Sequence, residues 1–164
     1  YHQENLMNRK AIYTDYLERF KKDLIANYDK LGLRASGKFA ESLEYEIKGN
    51  KLTMFGSRHS LYMENGRGPG GFPPLRAIEE WIEVKQGLPA IFVEKKKQFA
   101  FIIARKIANE GIKVPNPHNE GKVISDVVTL YLGEYIYQML DDIGEEYMRE
   151  FDFESDFRNI LQAA

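Results

Sequence analysis

Residues 42–55 read SLEYEIKGNKLTMF, and the fold turns on this stretch. Leu43, Tyr45 and Ile47 fall on one side of the chain, and Ser42, Glu44 and Glu46 on the other. That period of two belongs to a strand with one buried face. Gly49-Asn50 is a turn dipeptide. Leu52 and Met54 then resume the alternation, with Lys51 and Thr53 opposite. The stretch reads as an antiparallel hairpin with one wet face.

Outward from the hairpin the period changes to that of a helix. Before it, Leu6, Tyr13, Leu17, Phe20, Leu24, Tyr28 and Leu31 recur at three- and four-residue steps. They predict a helix over 4–31, roughly 40 Å long at 1.5 Å per residue, with Gly32 as its C-cap. A helix of that length is expected to carry its N-terminal half beyond the core or onto another element. Ser36 is placed to cap a short helical turn through Phe39 and Ala40. After the hairpin, His59–Met63 fit either a third strand or a short helix.

Next comes a loop over 65–73, NGRGPGGFP. Pro74 then stands where a helix tolerates proline, in its first turn. Leu75, Ile78, Trp81, Ile82 and Lys85 mark the stripe of that helix, which ends at Gly87. A second helix is predicted over 94–109, burying Phe99, Ile102, Ile103 and Ile107 and capped by Gly111. Residues 113–122 are extended and rich in turn formers. From Ser125 the pattern is helical again, through Val128, Leu132, Ile136, Leu140, Ile143, Tyr147 and Phe151. Gly133 and Gly144 weaken it, and it is firmest over 134–150. The tail FDFESDFRNILQAA alternates Phe with acid; strand, short helix and docked peptide all fit it. No internal repeat and no low-complexity segment is present.

The 164 residues suit one domain with a real core. There is no Cys, so a disulfide framework, a thiol nucleophile and a Cys-ligated metal are excluded. No apolar run approaches the roughly 18 residues of a membrane span, no signal-peptide pattern is visible, and no membrane partner is expected. The net charge is −2 but unevenly placed. Residues 121–164 hold ten acids against Lys122, Arg149 and Arg158, a net of −7, which leaves +5 on the first 120. A chain so polarised can attract copies of itself head to tail or bind a basic partner; the alternative is a solvated acidic helix face.

The glycine-rich loop invites a phosphate reading, but its parts are missing. GRGPGG lacks the G-x-x-x-x-G-K-[ST] spacing, and its prolines remove N–H donors that a phosphate nest needs. His2, His59 and His118 are far apart and in no metal-binding pattern, so no metal or cofactor is expected. Glu79-Glu80 and Asp141-Asp142 are adjacent on helices, so their side chains diverge by about 100° and cannot act as a pair. A catalytic reading, with the loop as a lid over Glu64 and Arg67, finds no nucleophile or base, and no enzyme is expected. Glycine lets the backbone at 66–71 approach another surface closely. The loop therefore reads as a subunit or partner contact made by Glu64, Asn65, Gly66, Arg67, Gly68, Pro69 and Phe72. Lys95, Lys96 and Lys97 open the second predicted helix, the wrong end for its dipole, which hints at an anionic partner such as DNA. A plain exposed lysine cluster is the simpler reading, and a pI near 6 argues against tight sequence-independent DNA binding.

Five segments then carry a resemblance. They are Ser36–Leu43 (SGKFAESL), Tyr62–Pro69 (YMENGRGP), Pro74–Trp81 (PLRAIEEW) with Lys85-Gln86-Gly87, Phe99–Gly111 (FAFIIARKIANEG) and Val114–Pro117 (VPNP). In this order the chain resembles the head–tail connector, or tail-completion, proteins of the neck of tailed bacteriophages of the HK97 type. The match covers about residues 30–120. It departs from the pattern at Arg67, where Thr is usual, in the extra glycines to Gly71, at His118-Asn119 after the second proline, and in a longer acidic C-terminal part.

The resemblance implies an α+β fold: a small antiparallel sheet packed by a long N-terminal helix and two central helices, with an additional C-terminal helix and acidic tail. The elements read from the residues agree. It also implies a connector-like domain over 1–120, with 121–164 packed on it or on a neighbouring subunit. Such proteins are structural virion components. They form rings of six or twelve copies that join portal or adaptor protein to tail protein around the DNA channel, with weak contact to DNA. They assemble in the host cytoplasm and are not enzymes. The competing expectation is a small non-enzymatic binding module that uses its acidic tail as a ligand.

Overall fold

The computed structural model describes residues 2–150, with side chains from 8 to 149. Phe151 and the Phe–acid tail lie outside the described residues. The element order is α1 (His2–Lys30), α2 (Lys38–Glu41), β1 (Glu44–Lys48), β2 (Lys51–Phe55), α3 (His59–Asn65), α4 (Leu75–Val84), α5 (Ala90–Glu94), α6 (Lys96–Glu110), α7 (Ser125–Leu130), a single π turn (Tyr131–Tyr135) and α8 (Ile136–Glu150). The fold is α+β and mostly helical, with the hairpin packed against α1 and a long helix at the C-terminal end.

The hairpin follows the pattern of its sequence. Tyr45 pairs with Met54 and Ile47 with Leu52, the turn falling at Gly49-Asn50. Those four side chains are half-buried against the core, while Glu44, Glu46 and Lys48 are exposed. Residues 59–65, open between strand and helix in the sequence, form α3.

Two apolar clusters hold the chain together. The larger one joins α1, the hairpin, α7, the π turn and α8. Tyr13, Tyr16, Leu17, Leu24 and Tyr28 supply it from α1, and Val127, Tyr131 and Met139 from the C-terminal helices. Burial of each such side chain is worth about 1.5–3 kcal/mol. The N-terminal half of α1 does not run free of the core. It packs along α8, where Asn8 Nδ2 donates to Glu146 Oε1 at 2.6 Å and Arg9 lies 5.0 Å from the Tyr147 ring. The smaller cluster joins α4 and α6 through Ile78, Ile82, Ala100 and Ala104, with α5 alongside.

Three readings of the buried faces need correction. On α6 the buried positions are Ala100 and Ala104, while Ile102, expected inside, is 59% exposed. Alanine lets α4 approach closely, and the larger Phe99, Ile103 and Ile107 flank that line of contact. In the C-terminal helix the inward residues are Val127, Tyr131 and Met139, whereas Leu132 and Leu140 of the expected stripe are exposed. The inward line steps by four through Val127, Tyr131, Tyr135, Met139 and Ile143, and Leu132 and Leu140 each fall one position, about 100° of helix, to its side. On α4, Ile78 and Ile82 are buried as expected, but Leu75 and Trp81 are exposed.

Candidate functional site

The glycine- and proline-rich loop does approach another surface closely, and that surface belongs to its own chain. Arg67 and Ile112 form an antiparallel bridge: Arg67 N–H donates to the Ile112 carbonyl at 2.8 Å, and Ile112 N–H to the Arg67 carbonyl at 2.7 Å. Gly70 N–H donates to the Ala108 carbonyl at 2.9 Å. Two glycines make this clasp possible. Both have φ near +70°, and a Cβ on Gly66 would lie 2.2 Å from the Ile112 carbonyl oxygen, while one on Gly111 would lie 2.2 Å from the Arg67 carbonyl oxygen. Only glycine fits where two backbones meet this closely with left-handed φ.

The loop side chains divide accordingly. Glu64 is half-buried, and its Oε2 accepts the Ile124 N–H at 2.9 Å, tying α3 to the start of the C-terminal helices. The Arg67 guanidinium donates to the Gly71 carbonyl. Asn65, Gly68 and Pro69 are exposed. Phe72 is also exposed and rests on Phe101, ring centres 5.7 Å apart. So Glu64 and Arg67 are engaged within the chain, while Phe72 joins an apolar surface on α6. Lys96 pairs with Glu83, whose carboxylate raises the lysine pKa by hydrogen bonding. Lys95 and Lys97 are exposed beside it.

Sequence reasoning missed the lock on the far side of the clasp. Asn119 Nδ2 donates to the Met63 carbonyl at 2.8 Å, and its Oδ1 accepts the Gly121 N–H at 2.9 Å. The Asn-Pro-His-Asn run reads as a turn, but nothing in it names α3 as the target.

Two further surfaces stand out. A groove of about 650 Å³ lies between α1, β2 and the C-terminal helices, lined among others by Tyr13, Phe20, Met54, Leu132, Leu140 and Ile143. At its floor Tyr131 OH donates to Asp23 Oδ2 at 2.6 Å, and the Tyr131 carbonyl accepts Tyr16 OH at 3.0 Å. Burial, then the bond to the Asp23 carboxylate, raises the Tyr131 pKa. The second feature is a pair of exposed apolar patches on opposite sides of the sequence. One is Phe72, Phe101 and Ile102 around α6; the other is Leu132, Tyr137, Leu140 and Met148 along the π turn and α8.

Among the described residues no group of His, Asp and Glu could hold a metal ion, and no helix is long and apolar enough to cross a membrane. No protein-family model, curated protein or solved structure matches the chain.

Proposed function

We propose that the protein is a structural component of a tailed-phage virion, a ring-forming neck protein that joins the portal side of the head to the tail around the DNA channel. The observation that supports this best is the meeting of the resembling segments. The Tyr62–Pro69 segment and the Phe99–Gly111 helix meet backbone to backbone through Gly66 and Gly111, 45 positions apart in the sequence. These two segments thus pack together as one structural unit. The exposed apolar side chains around α6 and along α8 add support of a different kind, because clusters of them mark interaction surfaces. In this reading the protein has no catalytic role. It contacts copies of itself, a portal or adaptor protein, a tail protein and, weakly, DNA.

Native mass spectrometry and electron microscopy test it, on the protein alone at rising concentration and mixed with portal and tail proteins. Rings of six or twelve copies are the expected result. Monomers alone, in both settings, defeat the proposal.

A further inference from the structure

Resting on the ring reading above, we infer that neighbouring copies join head to tail, the basic face of α6 on one copy seated against the acidic face of α8 on the next. On α6, Phe101 and Ile102 are exposed beside Arg105 and Lys106. That helix carries four bases against one acid, Glu110. On α8, Tyr137 and Leu140 are exposed beside Asp141 and beside Glu145, which shares Arg149 at 3.7 Å in an exposed pair open to exchange. Residues 125–149 hold six acids against a single base, Arg149. The exposed apolar side chains supply the drive for association, and the charge around them selects the partner.

Neither face suits a copy of itself. Two α8 faces packed together would set Asp141 and Glu145 against their like, and two α6 faces would do the same with Arg105 and Lys106. Only the mixed pairing brings opposite charges together while covering both apolar patches. Gly144, four residues after Leu140, has open space where a Cβ would stand, so a neighbour's aromatic ring can come close to the α8 backbone. A contact between two different faces of one chain is heterologous. It generates a ring if the rotation closes and a filament if it does not.

Charge exchange tests this. Arg105→Glu with Lys106→Glu reverses one face; Asp141→Lys with Glu145→Lys reverses the other. All four positions are exposed, and circular dichroism and thermal melting establish that each variant keeps the fold. In sedimentation velocity the unaltered protein is expected to self-associate, more weakly in high salt. Each reversed protein alone should associate about 100-fold more weakly, since like charges now face each other. An equimolar mixture of the two should regain assembly, because the reversed faces match each other and so do the unaltered ones. The chain with both faces reversed should also self-associate.

A mixture that stays monomeric overturns the inference. So does a wild-type ring indifferent to both reversals; that outcome puts the interface elsewhere and leaves the ring reading standing. A two-fold dimer that survives the α6 reversal overturns it in favour of α8 pairing with itself. An α6 reversal that abolishes DNA binding without changing association assigns that face to DNA instead. A wild-type protein that stays monomeric at every concentration also overturns it, and the experiment with portal and tail proteins then decides separately whether the ring reading falls.

Discussion

The two apolar clusters are built on opposite principles. The larger is aromatic and polar-edged: Tyr16, Phe20 and Tyr135 all pack on the Tyr131 ring, and the phenols find hydrogen-bond partners at Asp23, at the Tyr131 carbonyl and, for Tyr13, at Asn50. The smaller has four buried members, two of them alanines. It gains stability from close approach of two helices, and little from buried volume. The larger cluster can therefore stand on its own contacts, while α4–α6 depends on its ties to the rest. Those ties are the Gly66–Gly111 clasp, Lys85 Nζ donating to the Gly32 carbonyl at 2.9 Å, and the Lys38–Glu80 ion pair.

The largest expected effect probes the first half of that contrast. Tyr131→Ala removes a ring that is 1% exposed and touches three other aromatics. A loss of about 3–5 kcal/mol in urea unfolding is expected. Ile82→Ala, in the smaller cluster, should cost about 2–4 kcal/mol and loosen α4–α6 before α1 and α8. If hydrogen exchange shows both variants opening the whole chain together, the two clusters are one cooperative unit and the contrast is broken.

Gly111→Ala comes next. The new Cβ would meet the Arg67 carbonyl oxygen at 2.2 Å and the Gly68 carbonyl carbon at 2.8 Å, at a φ of +73°. Neither obstacle is a flexible side chain, so the bridge to Ile112 must open. The expected cost is about 2–3 kcal/mol. The amides of Arg67, Gly70 and Ile112 should lose protection first, while the hairpin amides keep theirs. Gly133→Ala is the control, since a Cβ there meets nothing within 4 Å.

Much of this contrast can be read from the residues, and the unread part has a physical cause. The hairpin shows itself because a period of two with polar residues opposite has few other solutions, and α1 because its apolar positions keep helical spacing for its whole length. The π turn does not show itself. Gly133 weakens the pattern, and two apolar lines one residue apart, Val127-Tyr131-Tyr135-Met139 and Val128-Leu132-Ile136-Leu140, both keep four-residue steps, so spacing alone does not decide which one faces inward. Ile102 misleads for another reason: an alanine pair can form a helix contact and leave the larger neighbour outside. For the candidate site, the glycines of the loop declare a close approach, but not what is approached. Ile112 and Asn119 lie some fifty residues away, and only the fold pairs them with it.

A smaller effect is set by pH at the aromatic cluster. The folded pKa of Tyr131 is raised above its ordinary value near 10 by burial and by the bond to Asp23. The folded state therefore holds its proton more tightly than the unfolded chain. The stabilisation is fully present below pH 10 and is lost as the pH rises through the raised folded value. Alkaline titration followed by circular dichroism should show stability falling from about pH 10 upward. Tyr131→Phe should flatten that fall, at a cost near 1 kcal/mol at neutral pH for the lost hydrogen bond. An unchanged alkaline profile in the Phe variant would assign the effect to other tyrosines, such as Tyr16 and Tyr28, which burial also raises.

The smallest effect belongs to the tie between the clusters. Hydrogen bonding from Lys38, with help from Arg76, lowers the pKa of the Glu80 carboxylate. Its contribution is thus present above the ordinary glutamate pKa and is lost as the pH falls through the lowered folded value. Glu80 is solvated and its partners are long exposed side chains, so water and salt screen most of the attraction. In the unaltered protein a carbon-detected NMR titration should show the Glu80 carboxyl signal moving below the usual glutamate range. Glu80→Gln should leave the unfolding midpoint nearly unmoved at neutral pH. A large loss of stability in this variant would show that the Lys38–Glu80 pair, and not the glycine clasp, holds α4–α6 against the aromatic cluster.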